Sequence, residues 1–75
     1  MISIDLLKVG QKGTIVEELD THVPVKLMEI GCLPGNEVEL VQIAPLNDPL
    51  YFLVDGSRIA IRREMARFVH IDLKP

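Results

Sequence analysis

The 75-residue chain predicts a mainly β fold, a small, partly open barrel of about five short strands with one short helix. Three observations carry that expectation. Turn signals at Pro34-Gly35, Asn47-Asp48 and Asp55-Gly56 cut the sequence into pieces too short for a helical bundle. The pieces between them are rich in valine and isoleucine, residues that suit a pleated surface. No linker, repeat or low-complexity tract divides the chain, so residues 1–75 are expected to form one domain around one core.

Taken in order, Ile4 to Leu7 fits a single helical turn ahead of Val9-Gly10. Thr14 to Leu19 is β-branched at its start and predicts the first strand. Pro24 sits where a helix accepts proline, in a first turn whose backbone donors are unpaired anyway. The helix should run from about Pro24 to Ile30 and end at Gly31, which can turn left-handed. Leu33-Pro34-Gly35-Asn36 reads as a type II turn. From Glu37 to Ile43 a strand first alternates, with Val38 and Leu40 inward. Val41 and Ile43 are apolar in the opposite phase, which predicts a bulge or a bend.

Ala44 to Pro49, with two prolines and Asn-Asp, is a loop. Leu50 to Val54 is a strand, and Asp55-Gly56 is the strongest hairpin signal in the chain. Arg58 to Arg62 returns with Ile59 and Ile61 inward, and Arg63 to Arg67 fits one more helical turn. Val69, Ile71 and Leu73 alternate with His70 and Asp72 in a last strand. Ile15, Val38, Leu40, Ile59, Ile61, Val69 and Ile71 form the expected core. An SH3-like barrel fits these elements best.

Composition narrows the function. A chain this short buries only about 60% of the surface it exposes when unfolded. With Cys32 as the only cysteine no internal disulfide compensates, and the 48% hydrophobic content fits stability from packing alone. The opening residues carry no basic leader. The longest apolar run, Leu50 to Val54, falls far short of the roughly 18 residues a membrane span requires, so the expectation is a cytoplasmic protein without membrane insertion. A net charge of −3 argues against nucleic acid as a partner.

Catalysis and metal binding find little support. One cysteine and two histidines offer few nucleophile-and-base pairs. Cys32 reads as a small buried hydrophobe, and His22 and His70 as solvated surface residues. No close ligand pair of the zinc-site kind occurs, and His70 with Asp72 on one strand face makes at most a weak surface site. Neither a cofactor, a metal site nor catalytic residues are expected.

Two features point to a partner instead. All four arginines, Arg58, Arg62, Arg63 and Arg67, lie within ten residues; with Glu64 that segment carries +3, which leaves −6 on the other 65. The cluster reads as a solvated face, as a docking surface for an acidic partner, or as a phosphate site without the usual interleaved aromatics. On the helix only Lys26 and Glu29 make a polar strip. Val23, Val25, Leu27, Met28 and Ile30 cover an arc of roughly 220°, against the stripe of about 100° that a surface helix needs. The surplus is either buried by flanking loops or left for a partner. Candidate partner-binding residues are therefore Val25, Met28, Glu29, Arg58, Arg62 and Arg63.

Three segments together resemble the FeoA family, small companions of the bacterial ferrous iron transporter. Leu27-Met28-Glu29-Ile30-Gly31-Cys32-Leu33-Pro34-Gly35 is similar to the family's helix end and Pro-Gly turn. Ala44-Pro45-Leu46-Asn47-Asp48-Pro49-Leu50 is similar to its inter-strand loop. Ile59-Ala60-Ile61-Arg62-Arg63-Glu64-Met65-Ala66 is similar to its strand-then-turn ending in Glu-x-Ala. Cys32 stands where a larger apolar residue is common, and Asn47 where glycine often stands. The resemblance implies an SH3-like barrel, a cytosolic location, no catalytic residues, and partnership with a ferrous iron membrane transporter carrying a GTP-binding domain. Self-association is a further expectation. The same fold occurs at the C-terminus of metal-dependent repressors, so the alternative is a regulatory interaction module of that kind.

Overall fold

The computed structural model describes residues 1–17 and 23–74. They form six antiparallel strands and two short helices. Strand β1 is Ile2–Ser3, β2 is Lys12–Ile15 and β3 is Glu37–Ile43. Strand β4 is Leu50–Val54, β5 is Ser57–Ile61 and β6 is His70–Leu73. Helix α1 spans Val25–Glu29 and α2 spans Arg63–Ala66, with 3₁₀ turns at Ile4–Leu6 and Pro45–Asn47. The sheet order is β1-β6-β2-β3-β4-β5, a partly open barrel around one apolar core.

The sixth strand is a correction to the expected five. Ile2 and Ser3 pair with Ile71 and His70. Two residues are too few to show a period of two, and their partner lies at the far end of the chain. The strand expected over Thr14 to Leu19 is Lys12–Ile15 instead; Glu18 and Leu19 lie outside the described residues. Helix α1 is shorter than Pro24 to Ile30, because Pro24 serves as its N-cap and Ile30 as its C-cap.

Gly31 ends α1 as expected. At φ +111° it lets its own N–H reach the Met28 carbonyl and the Cys32 N–H reach the Leu27 carbonyl, at 3.1 and 3.0 Å. These two bonds close the last turn and carry Cys32 into the core beside Leu27. The Asn36 side chain donates to the Gly31 carbonyl at 2.8 Å and holds the cap against the next turn.

The bulge in β3 falls where its apolar phase reverses, with the register shifting between Leu40 and Gln42. Asp55 at φ 48° and Gly56 at φ 86° form the tight turn joining β4 and β5. Phe52, Ile4, Leu40, Leu50 and Ile71 are fully buried and carry much of the core. Ile59 and Leu73 depart from the expected pattern. Ile59 is half-buried against the core because β5 is a sheet edge, and Leu73 is exposed at the end of β6.

Candidate docking surface

Leu27 anchors α1 at 3% exposure, and the turn it roots presents its other residues outward. Val25 is 63% exposed and Met28 38%; Lys26 and Glu29 are also exposed. The wide apolar arc is thus split between core and surface. Clefts open on either side of the helix. The smaller, of about 190 Å³, is lined by Val23, Met28, Cys32, Phe68 and His70 among others. The larger, of about 400 Å³, runs between α1 and β5–α2, where Lys26, Leu27 and Ile30 face Ala60, Arg62 and Met65.

The arginines do not form one patch. Arg63 is half-buried and structural: its guanidinium donates to the Asn47 carbonyl at 2.5 Å and to the Asp5 carbonyl at 3.0 Å. Its backbone N–H donates to the Asp48 carboxylate at 3.0 Å, so one residue ties together the start of the chain, the Pro45–Asn47 turn and α2. Arg62 lies on the larger cleft, 3.9 Å from Asp48. Arg58 sits over the Tyr51 ring, 5.3 Å from its centroid, and donates to Gln42 Oε1. Arg67 packs on the Phe68 ring at 4.7 Å and donates to the Glu64 carbonyl. The structure therefore brings Arg62 beside α1 and commits Arg63 to the scaffold.

Two residues that sequence reasoning passed over stand out. Leu46 is 98% exposed and holds φ 67°, a left-handed conformation rare for a bulky side chain; Asn47 beside it shares that φ. Asparagine takes this conformation readily, and an apolar residue between two turn formers was the available signal for Leu46. Ala60, on the outer side of β5, lines the larger cleft although its small side chain drew no notice.

The site's chemistry is that of contact. Cys32 is buried and its thiol is raised by desolvation, which keeps it protonated and weakly nucleophilic. His70, expected as a solvated residue, is half-buried on the smaller cleft, because β6 turns that face toward Met28 and Phe68. His22 lies outside the described residues. Among the described residues, no three His, Cys, Asp or Glu side chains converge on a common point. No helix among them is long and apolar enough to cross a membrane.

A family model described as the FeoA domain matches residues 2–73. The solution structure of iron(II) transport protein A from Clostridium thermocellum is similar, at 29% identity and a TM-score of 0.83. The match covers 96% of this chain and 45% of that one. The zinc complex of FeoA from Stenotrophomonas maltophilia, described as a procaryotic SH3 domain protein, shares the fold: 23% identity, TM-score 0.76, covering 96% and 91%. IdeR from T. acidophilum aligns at 25% identity and TM-score 0.70, over 95% of this chain and 34% of that one. Among curated proteins, a fusion of Fe(2+) transport protein A with the Fe(2+) transporter FeoB, from Porphyromonas gingivalis, is 33% identical over 48 residues. That match covers 64% of this chain and 6% of the fusion, so the chain corresponds to a small part of that protein.

Proposed function

Because the chain belongs to the FeoA family, associated with ferrous iron transport, we propose that it is a non-catalytic accessory protein of ferrous iron uptake. It acts in the cytoplasm by binding the cytosolic part of the GTP-binding ferrous iron transporter. The observation that carries this reading is the fusion, in which a relative of this chain is joined covalently to FeoB. Joining two partners in one polypeptide raises their effective concentration and is favoured where they already meet. The exposed apolar residues Val25 and Met28 with Glu29, and the Arg62-bordered cleft beside them, supply a surface suited to such contact. Arg58 contributes charge at the neighbouring hairpin, and Arg63 holds the frame.

The test is co-purification of the full chain with the transporter's cytosolic part, followed by titration calorimetry. Saturable one-to-one association is expected, and its absence at high micromolar concentration would remove the proposal. The likeness to IdeR favours a second reading, an SH3-like regulatory module akin to the C-terminal domain of metal-dependent repressors. Selective association with such a repressor in the same assay would favour that alternative.

A further inference from the structure

The sheet order ends at β5, so one edge of this strand has no strand beside it among the described residues. Hairpin geometry fixes which groups face that edge. The turn at Asp55-Gly56 makes Val54 and Ser57 a hydrogen-bonded pair, and pairing then alternates along Leu53↔Arg58, Phe52↔Ile59, Tyr51↔Ala60 and Leu50↔Ile61. Ser57, Ile59 and Ile61 spend their backbone groups on β4. The N–H and C=O of Arg58 and Ala60 point outward, and no backbone hydrogen bond joins them to another described residue.

Resting on the transporter-binding reading, we infer that β5 is the docking strand, and that the partner adds an extended segment alternating apolar and acidic side chains. The backbone of Arg58 and Ala60 supplies the ladder. The larger cleft, floored by Leu27, Ile30 and Met65, lies along the same strand at Ala60 and Ile61 and receives the apolar side chains. Charge selects the acidic ones: Arg58 is exposed on β5, Arg62 is exposed just past its end, and Lys26 is exposed across the cleft. The same charges disfavour a second copy of this chain. Antiparallel self-pairing centred on Ala60 sets Arg58 opposite the copy's Arg62, a like-charge cross-strand pair.

Hydrogen exchange on the full chain, with the transporter's cytosolic part added, tests this. Protection of the Arg58 and Ala60 amides by about tenfold or more is expected. Ala60→Pro removes an outward N–H while leaving every bond to β4, so it should abolish that protection in a folded protein. Should Ala60→Pro fail to fold, the wild-type chain is paired with a synthetic Val-Glu alternating decapeptide. Methylation of the decapeptide's alternate backbone nitrogens should weaken its binding at least tenfold. Association with protection confined elsewhere overturns the strand inference and leaves the proposed function standing. No association with the transporter overturns the proposed function, and the decapeptide then becomes the probe for the strand. Failure of the decapeptide to protect both amides at millimolar concentration overturns the inference, as does equal binding of a Val-Lys counterpart. Concentration-dependent protection without any partner identifies a second copy as the occupant and overturns it too.

Discussion

Helix α1 allows fold and docking to be separated within three residues. Val25 keeps 63% of its accessible surface, so folding removes only about a third of the side chain from water. Full burial of a valine stabilises by about 1.5–3 kcal/mol, and a third of that is about 0.5–1 kcal/mol. Glutamate at this first helical position gains from the helix dipole, which offsets part of the loss. Val25→Glu should therefore shift stability by no more than about 0.5 kcal/mol, as an ordinary surface change does. Leu27 is 3% exposed, and Leu27→Ala should cost about 2–5 kcal/mol through the cavity it leaves. Val25→Glu should weaken binding far more than its small effect on stability would suggest. A carboxylate placed in an apolar contact costs about 2 kcal/mol or more, roughly a thirtyfold weaker complex. Urea titrations give the stability ranking, and calorimetry with the transporter's cytosolic part, on folded protein, gives the binding loss for Val25→Glu. If Val25→Glu unfolds the chain, the outer face of α1 is structural. If it binds as wild type does, α1 lies outside the interface.

Gly13→Ala should be severe, because a Cβ there meets the Asp72 carbonyl oxygen at 2.2 Å and β2 must part from β6. A loss of about 3 kcal/mol is expected, read as a fall in melting temperature of roughly 12–24 °C. Arg63→Ala removes the guanidinium bonds to Asn47 and Asp5 and should cost about 2 kcal/mol. Its local signature is faster exchange of the Asn47 amide, which donates to Ala44. Glu37 is held below the usual carboxylate value of 4.5 by its hydrogen bond and charge pairing with Lys74. A lowered folded value means stabilisation present above 4.5 and lost as pH falls through the lowered value. Lys74→Ala should therefore lower the urea midpoint slightly at neutral pH and leave it unchanged once Glu37 is protonated.

Local chemistry made much of the fold legible. The β3 bulge was written in the phase reversal after Leu40, the β4–β5 hairpin in Asp55-Gly56, and the end of α1 in Gly31. Strand β1 was not legible, since its meaning lies in Ile71 rather than in any near neighbour. The site was read less completely. The wheel marked α1 as over-apolar, yet it could not say that the surplus flanks clefts. The arginine cluster misled for a related reason: adjacency in sequence does not survive a strand followed by a helical turn. Arg62 and Arg63 are neighbours in the chain, yet one borders a cleft and the other binds Asn47 and Asp5. Leu46 left only the local signal of its place between Pro45 and Asn47, because a single exposed leucine leaves no periodic trace.

The pairing of β1 with β6 bears on how the molecule comes into being. Ile2 meets Ile71, and β6 lies between β1 and β2. The two earliest strands are therefore joined in the sheet only through the last one. On the ribosome, neither Ile2 nor Ile15 finds its partner on β6 until Ile71 has emerged, although β3, β4 and β5 already form a meander of near neighbours. Contacts of such long sequence separation close loops at an entropic cost and slow folding. The hairpin of β4 and β5 is thus available early, β2 can join it through β3, and β1, paired with β6, is recruited last. A chain that stalls with β6 still inside the exit tunnel is therefore held as a half-built sheet, with β5 already displayed.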